Sequence, residues 1–256
     1  GTGALSGSTS HAFVVTGGTG VISYGGTINN TTARAVSITG KTGGSVTLSG
    51  AVSGTAQGVF LDNNTGATVN FTGGGMNLNT GANTAFTATG GGTVNVTGAG
   101  NILNTTTATA LNVANTTIGA SNLNFQSISS NGGSSTGIIL NTTGTIGGLI
   151  VTGTGAAASG GTIANKTGAD GSVTTGIGIY LNSTSNVSLA RMQMNGFSNF
   201  AIRGLNVTGF SLSNSVISGT SGDNGGADEG AIIFGTFTSA VVNGLVGTGS
   251  ITNSDI

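Results

Sequence analysis

Half of the acidic residues in this sequence lie in one glycine-rich segment. Residues 219–230 (GTSGDNGGADEG) contain three of the six acids, namely Asp223, Asp228 and Glu229. Carboxylates and turn carbonyls are the oxygen ligands that Ca²⁺ takes in proteins, so this segment is a candidate calcium site. The spacing of the acids fits neither an EF-hand loop nor the nonapeptide calcium-binding repeat. A solvated loop without an ion is therefore the alternative interpretation.

Other residues with catalytic potential are dispersed along the chain. The remaining acids are Asp62, Asp170 and Asp255. Arg191 and Arg203 are close in sequence, but no pair of carboxylates can be placed beside them, so we predict solvated surface charges. The single histidine, His11, lacks the nucleophile elbow that a serine hydrolase needs. The sequence thus predicts no catalytic residues and no enzyme.

One short segment imitates a nucleotide-binding motif. Gly40, Lys41 and Thr42 match the end of a phosphate-binding loop. Ala35 stands where that motif requires its first glycine, and a strand pattern follows where a helix should begin. We therefore predict a turn at this position.

The composition excludes several classes of protein. Only 4% of the 256 residues are charged, against about 25% in a typical globular domain. There is no cysteine, which excludes disulfides and thiolate metal sites. A net charge of −1 offers no basic surface for nucleic acid, and no apolar run approaches the ~20 residues that span a bilayer. With 51 glycines, no proline and 36% hydrophobic residues, the chain can build a core and long strand ladders.

A strand pattern that begins with a small residue recurs along the whole chain. Its second positions are Phe13, Val36, Val59, Phe86, Leu111, Ile138, Ile179, Ile202 and Ile232. The intervals are 23, 23, 27, 25, 27, 41, 23 and 30 residues, which indicates about nine coils of variable turn length.

Each repeat contains further strand patterns after glycine-rich turns. The second strands are SVTLS (45–49), TVNFT (68–72), TVNVT (93–97), VSL (187–189) and FSL (210–212). The third strands are predicted around Ile28, Val52, Leu78, Ile102, Ile128, Met194, Ile217 and Ile251. Three short strands per coil predict an all-β fold, a right-handed parallel β-helix. Residues 1–256 form one segment of a longer array in this interpretation, with an irregular insertion near 153–175.

Alternation within the strands predicts which side chains face the core. In residues 45–49, Val46 and Leu48 point inwards, whereas Ser45, Thr47 and Ser49 point outwards. Stacked coils place like over like, which gives apolar columns inside and hydroxyl or amide columns outside.

Residues 178–219 carry the clearest resemblance to known proteins. GIYLNSTSNVSLARMQMNG and AIRGLNVTGFSLSNSVISG are two coils in 23-residue register. They resemble the right-handed parallel β-helix repeats of pectin-lyase-like proteins. The Gly/Thr/Asn-rich first half resembles bacterial autotransporter passengers and β-strand-repeat adhesins. The resemblance implies export to the bacterial cell surface and a structural or adhesive role, and it transfers no catalytic residue.

One outward column is unusually apolar. Its large side chains are Val14, Phe60, Ile139, Tyr180 and Ile233. Such a stripe predicts a partner surface. The alternative is that long turns, including the insertion near 153–175, fold over the stripe.

These patterns predict an extracellular structural or adhesive scaffold that forms fibres. The alternatives are a polysaccharide-active or polysaccharide-binding β-helix and an ice-binding solenoid, the latter suggested by the hydroxyl columns. Neither terminal region reads as a polar cap, so we expect axial continuation by the same chain or by a second copy. Surface glycans are further candidate partners. No cofactor is predicted apart from the calcium ion considered above.

Overall fold

A computed structural model describes residues 2–223, 229–236 and 244–256. Within these ranges the regular structure consists of 24 β-strands, numbered β1–β24 in chain order, and no helix. The strands pair in parallel and stack as a β-solenoid of about eight turns. Among the described residues, no helix is available that could cross a membrane.

The strands lie on three faces of the solenoid. The first face comprises β1 (Phe13–Thr16), β4 (Arg34–Thr39), β7 (Gln57–Asp62), β10 (Phe86–Thr89), β13 (Leu111–Ala114), β16 (Ile138–Asn141), the start of β19 (Ile177–Ala190), the start of β21 (Phe200–Ser213), and β23 (Gly230–Phe234). The second face comprises β2 (Ile22–Tyr24), β5 (Ser45–Leu48), β8 (Thr68–Phe71), β11 (Thr93–Val96), β14 (Thr117–Phe125), β17 (Leu149–Val151), the ends of β19 and β21, and β24 (Leu245–Thr252). The third face comprises β3 (Ile28–Asn30), β6 (Val52–Gly54), β9 (Asn77–Gly81), β12 (Ile102–Thr105), β15 (Ser127–Asn131), β18 (Gly161–Lys166), β20 (Met192–Phe197) and β22 (Val216–Ser221).

Two long strands turn the corner between the first and second faces. β19 and β21 each run for 14 residues and join both faces into one 16-stranded sheet, whereas the third face is a separate 8-stranded sheet. Asn186 in β19 and Asn206 in β21 have φ angles of 55° and 52°. Asparagine tolerates this left-handed conformation better than most residues, which lets the chain bend at the corner.

The predicted fold class and strand repeat are confirmed. The nine predicted first-face positions are Cα partners from coil to coil, beginning with Phe13 opposite Val36 and ending with Ile202 opposite Ile232. Nine first-face strands enclose eight intervals, so the structure has about eight turns where the sequence predicted about nine coils.

The assignment of strands to faces contains one error and several omissions. Ile251, predicted on the third face, lies in β24 opposite Leu212 on the second face. The third-face contact of that coil is a bridge between Val216 and Asp255. β2, β14, β17 and β18 were not predicted, and β18 occupies part of the segment near 153–175. Turn lengths vary between coils, so spacing alone does not assign a residue to a face.

The core is a continuous apolar column inside the coils. Leu48 is 1% exposed and lies in register between Tyr24 and Phe71. Phe71 and Phe86 meet edge to face, with ring centroids 5.5 Å apart. These positions agree with the inward assignment made from the alternation in residues 45–49.

Asparagine side chains form ladders along the outside. Amide hydrogen bonds join Asn95 to Asn70 (2.9 Å), Asn104 to Asn79 (3.0 Å), Asn165 to Asn131 (2.7 Å) and Asn182 to Asn141 (2.9 Å). Amides can bond to copies of themselves in the next coil, whereas stacked like charges would repel. This accounts for the low content of charged residues.

Candidate functional site

Three carboxylates meet where the segment before β19 approaches the connection between β22 and β23. Asp170, Asp223 and Glu229 each offer a carboxylate oxygen, and these oxygens lie within 4.8 Å of one another. We call these three residues the acidic cluster. Two residues of the calcium hypothesis, Asp223 and Glu229, belong to the acidic cluster, whereas its third residue, Asp228, lies outside the described residues.

Hydrogen bonds to Glu229 hold the acidic cluster together. Its Oε1 accepts the backbone N–H of Gly171 at 2.8 Å, and its Oε2 accepts that of Asp223 at 2.8 Å. The pKa of Asp170 is raised by desolvation, by a side-chain hydrogen bond with Glu229 and by the nearby charges of Asp223 and Glu229. Clustered carboxylates of this kind can hold a proton or coordinate a hard cation such as Ca²⁺.

Asp170 was not predicted to join this cluster. It is separated from Asp223 by more than two coils of sequence, and the sequence carries no motif that links them. The segment that contains Asp170 folds back because Asn199, fully buried, donates its amide N–H groups to the carbonyls of Ala169 (3.1 Å) and Thr175 (2.8 Å). The burial of Asn199 is a feature of the tertiary structure that the sequence alone does not reveal.

A buried lysine lies next to the acidic cluster. Lys166 is 1% exposed, and its Nζ donates to Ser130 Oγ (2.6 Å) and to the carbonyl of Gly132 (2.8 Å). Desolvation lowers its pKa from 10.5 to about 8. Lys166 lines a cavity of about 410 Å³ together with Asp170 and Asp223. The Lys166 ammonium therefore donates its hydrogen bonds to neutral oxygens in the body of the solenoid.

A second buried lysine explains the sequence that imitates a phosphate-binding loop. Lys41 is buried, and its Nζ lies 2.9 Å from the carbonyl of Gly20 and 3.4 Å from that of Gly18. Its backbone N–H donates to Asn64 Oδ1 at 3.1 Å. This lysine fastens one turn to the turn of the preceding coil, in agreement with the predicted turn.

The predicted apolar stripe is a single column of side chains in register. The column contains Val14, Ser37, Phe60, Thr87, Asn112, Ile139, Tyr180, Arg203 and Ile233. We call it the first-face column. Val14 is 55% exposed, whereas Phe60, Ile139, Tyr180 and Ile233 are partly buried. The register places the candidate partner residues together, and whether a partner binds them stays a prediction.

Arg203 differs from its prediction as a solvated surface charge. It is only 8% exposed, its guanidinium lies 5.2 Å from the ring centroid of Phe200, and its Nη1 donates to the carbonyl of Val173 at 3.0 Å. Arg191 is partly buried. The neighbouring segment near 173 supplies the carbonyl that makes burial of Arg203 tolerable, which spacing in the sequence does not reveal.

The segment near 173 flanks the first-face column and encloses a groove. The groove has a volume of about 490 Å³, and its lining includes Ile139, Tyr180, Arg203, Val173 and Thr174. Val173 remains 49% exposed. The segment therefore forms a wall beside the stripe at this level of the solenoid.

A smaller depression lies on the same column. Arg34 stacks over the ring of Phe60 at 4.8 Å, and both line a depression of about 270 Å³ with Gln57 and Thr87. Desolvation lowers the pKa of Arg34. The first face thus combines aromatic rings, guanidinium groups and amides at two levels.

One hydroxyl column of the second face extends over four adjacent coils. Ser45, Thr68, Thr93 and Thr117 are in register. The pairing then shifts between Val94 and Val96, where β14 bulges. The bulge and the Asn95–Asn70 ladder interrupt the hydroxyl array of this face.

No match was found when the chain was compared with protein-family models, with curated proteins and with solved structures. The class of protein is therefore defined by its architecture as a parallel β-solenoid.

Proposed function

We propose that this protein is an extracellular structural or adhesive scaffold of the bacterial-surface type, and that it does not act as an enzyme. The observation that carries the proposal is the stack of parallel coils in the described part of the chain, with polar ladders outside. Such a solenoid is rigid along its axis without disulfides and presents long side-chain columns to the surroundings. The low content of charged residues is consistent with columns of hydroxyl and amide groups that lie side by side on the surface.

Axial assembly forms part of this proposal. Among the described residues, β1 pairs only with β4, and β23 pairs only with β21. Ile251 in β24 is 47% exposed, and Phe13 and Tyr24 at the opposite end are partly exposed. Open strand edges over an apolar core are templates for further pairing. We propose that more of the same chain or a second copy stacks on them.

Electron microscopy of the purified chain tests the scaffold proposal. We expect rods that join end to end into filaments, because a head-to-tail contact does not close. The variant Ile251→Lys places a charge on the exposed end and should shorten the filaments, and thermal melts establish that it remains folded. Monomeric particles at all concentrations, for both proteins, would contradict axial assembly.

Adhesion requires a separate assay. Immobilised chain should retain glycan-coated or protein-coated beads, with retention reduced by Phe60→Ser on the first-face column. Sugar release from polysaccharides would instead support the polysaccharide-active alternative, and thermal hysteresis would support the ice-binding alternative.

A further inference from the structure

Arg34 holds its guanidinium against an aromatic ring and leaves its hydrogen-bond donors unused. The guanidinium lies 4.8 Å from the ring centroid of Phe60, and within the described part of the chain it donates no hydrogen bond and forms no ion pair. Arg203 differs, because it donates to the carbonyl of Val173. A guanidinium that contacts a ring through its face keeps its N–H donors at its edge, where a carboxylate can accept two of them. Arg34 is also partly buried, so an anion would meet less competition from water there than at an open surface.

The depression around Arg34 is small, and its lining is mostly polar. Its other lining residues are Gln57, Phe60, Asn83, Thr84 and Thr87. Asn83 donates to the carbonyl of Ala56 at 3.0 Å. Among the described residues, the side-chain amide of Gln57 and the hydroxyls of Thr84 and Thr87 have no hydrogen-bond partner.

The volume and charge of this depression limit the ligands that fit it. Its volume of about 270 Å³ is close to the lower bound of about 300 Å³ for small-molecule sites, which favours a ligand of the size of one sugar unit. One lining residue carries a positive charge and none carries a carboxylate. The lining therefore favours an anion whose body carries groups that can bond to amides and hydroxyls.

We propose that this depression binds a small hydroxylated carboxylate, with the carboxylate at the edge of the Arg34 guanidinium and the hydroxyls towards Gln57 and Thr87. This inference goes beyond the scaffold function and does not depend on it. An extended peptide is a poorer occupant, because β7 pairs on both sides with β4 and β10 and leaves no strand edge there. An apolar anion is also poorer, since it would leave the polar lining without hydrogen bonds. A free hydroxy acid and an acidic sugar unit of a glycan share the required chemistry.

Glucuronate is a suitable probe, because it joins a carboxylate to a ring of hydroxyl groups. The chain has three arginines, Arg34, Arg191 and Arg203, so their Nε–H signals in NMR spectra can be assigned by substitution. We expect glucuronate to shift the Arg34 signal saturably and to leave the other two signals in place. Glucose lacks the carboxylate and butyrate lacks the hydroxyls, so each should bind at least about tenfold more weakly, equivalent to about 1.4 kcal/mol.

Substitutions of arginine locate the site. Arg34→Gln removes the guanidinium and should weaken glucuronate binding by about tenfold or more. Arg34→Lys keeps the charge but loses the two parallel donors, so it should also bind more weakly than the wild type. The matched control, Arg191→Gln, makes the same charge change between β19 and β20 and should leave the affinity unchanged. Thermal melts establish that all three variants remain folded.

The outcomes separate the site from its alternatives. Equal binding of glucuronate by the wild type and by Arg34→Gln would overturn the site. Butyrate that binds as tightly as glucuronate would overturn the role of the hydroxyls, and an acidic peptide that binds more tightly than glucuronate would overturn the ligand class. An oligosaccharide that ends in glucuronate distinguishes the two sources. Tighter binding of this oligosaccharide supports the proposal with a glycan as the source, and tighter binding of free glucuronate supports it with a free acid as the source.

Discussion

The inward and outward assignment of neighbouring residues can be tested with one pair of substitutions. Leu48 is 1% exposed in the apolar column, whereas Thr47 points outwards between Ser23 and Asn70. Leu48→Asp and Thr47→Asp introduce the same side chain at adjacent positions of β5. The two proteins therefore differ only in the face of the sheet that receives the carboxylate.

The cost of the inward substitution follows from its surroundings. Truncating a fully buried leucine to alanine costs about 2–5 kcal/mol. An unpaired carboxylate at the same place adds several kcal/mol through lost hydration or through the uptake of a proton. The sum is comparable with the whole stability of a typical domain, about 5–15 kcal/mol. Because coils contact only their neighbours, we expect Leu48→Asp to unfold at least the coils that contain Tyr24 and Phe71.

Thermal melts followed by circular dichroism, with limited proteolysis to locate the unfolded coils, provide the assay. Thr47→Asp should change the free energy of unfolding by less than about 1 kcal/mol, as expected for a surface substitution. The melting temperature of Leu48→Ala should lie between those of Leu48→Asp and Thr47→Asp. Equal melting temperatures for Leu48→Asp and Thr47→Asp would refute the assignment of faces.

Three further predictions concern charged groups. Because burial lowers the pKa of Lys166 to about 8, its charged form opposes folding below pH 8, and the free energy of unfolding should rise between pH 8 and the ordinary value of 10.5. Denaturant titrations of Lys166→Met should lack this rise, and an identical pH profile in both proteins would count against the burial of a charge. The raised pKa of Asp170 means that the folded state binds its proton more tightly, so stability should increase as the pH falls from neutral towards about 4. In chelator at pH 7, Asp170→Asn should raise the melting temperature, whereas the control Asp255→Asn should not. A lower melting temperature for Asp170→Asn would contradict repulsion between the carboxylates of the acidic cluster. The calcium hypothesis predicts that Ca²⁺ at 100-fold its dissociation constant adds ~2.7 kcal/mol to the free energy of unfolding. A calorimetric scan that EDTA does not change would contradict it and favour a solvated loop without an ion.

The fold was predictable because the repeat depends on local alternation. Val46 and Leu48 face inwards for the same reason in every coil, so one correct strand determines the register of the next. The first-face column, from Val14 to Ile233, could likewise be predicted from the recurring small residue before each strand. Strand identity thus follows from side-chain pattern and stacking alone.

The candidate site depended on contacts that no repeat encodes. Asp170 reaches Asp223 because the buried Asn199 fastens an irregular segment, and this arrangement occurs once in the described residues. Arg203 and Lys166 are buried because carbonyls of neighbouring turns happen to face them. Ile251 was assigned to the wrong face because the preceding connection differs in length from those of other coils. Such features depend on tertiary packing and not on the sequence repeat.

The in-register parallel stack underlies the scaffold, the first-face column and the groove, and disulfide trapping tests it directly. The chain contains no cysteine, so any disulfide that forms in a variant joins the two introduced cysteines. Thr47 and Asn70 are Cα partners in adjacent coils, about 4.8 Å apart in a parallel sheet, which a disulfide can bridge. Thr68 lies two residues away along the same strand, at a diagonal separation beyond the ~7 Å limit for a disulfide. The account predicts rapid oxidation of Thr47→Cys/Asn70→Cys and none of Thr47→Cys/Thr68→Cys. Preferential oxidation of the second pair would contradict the stacked register.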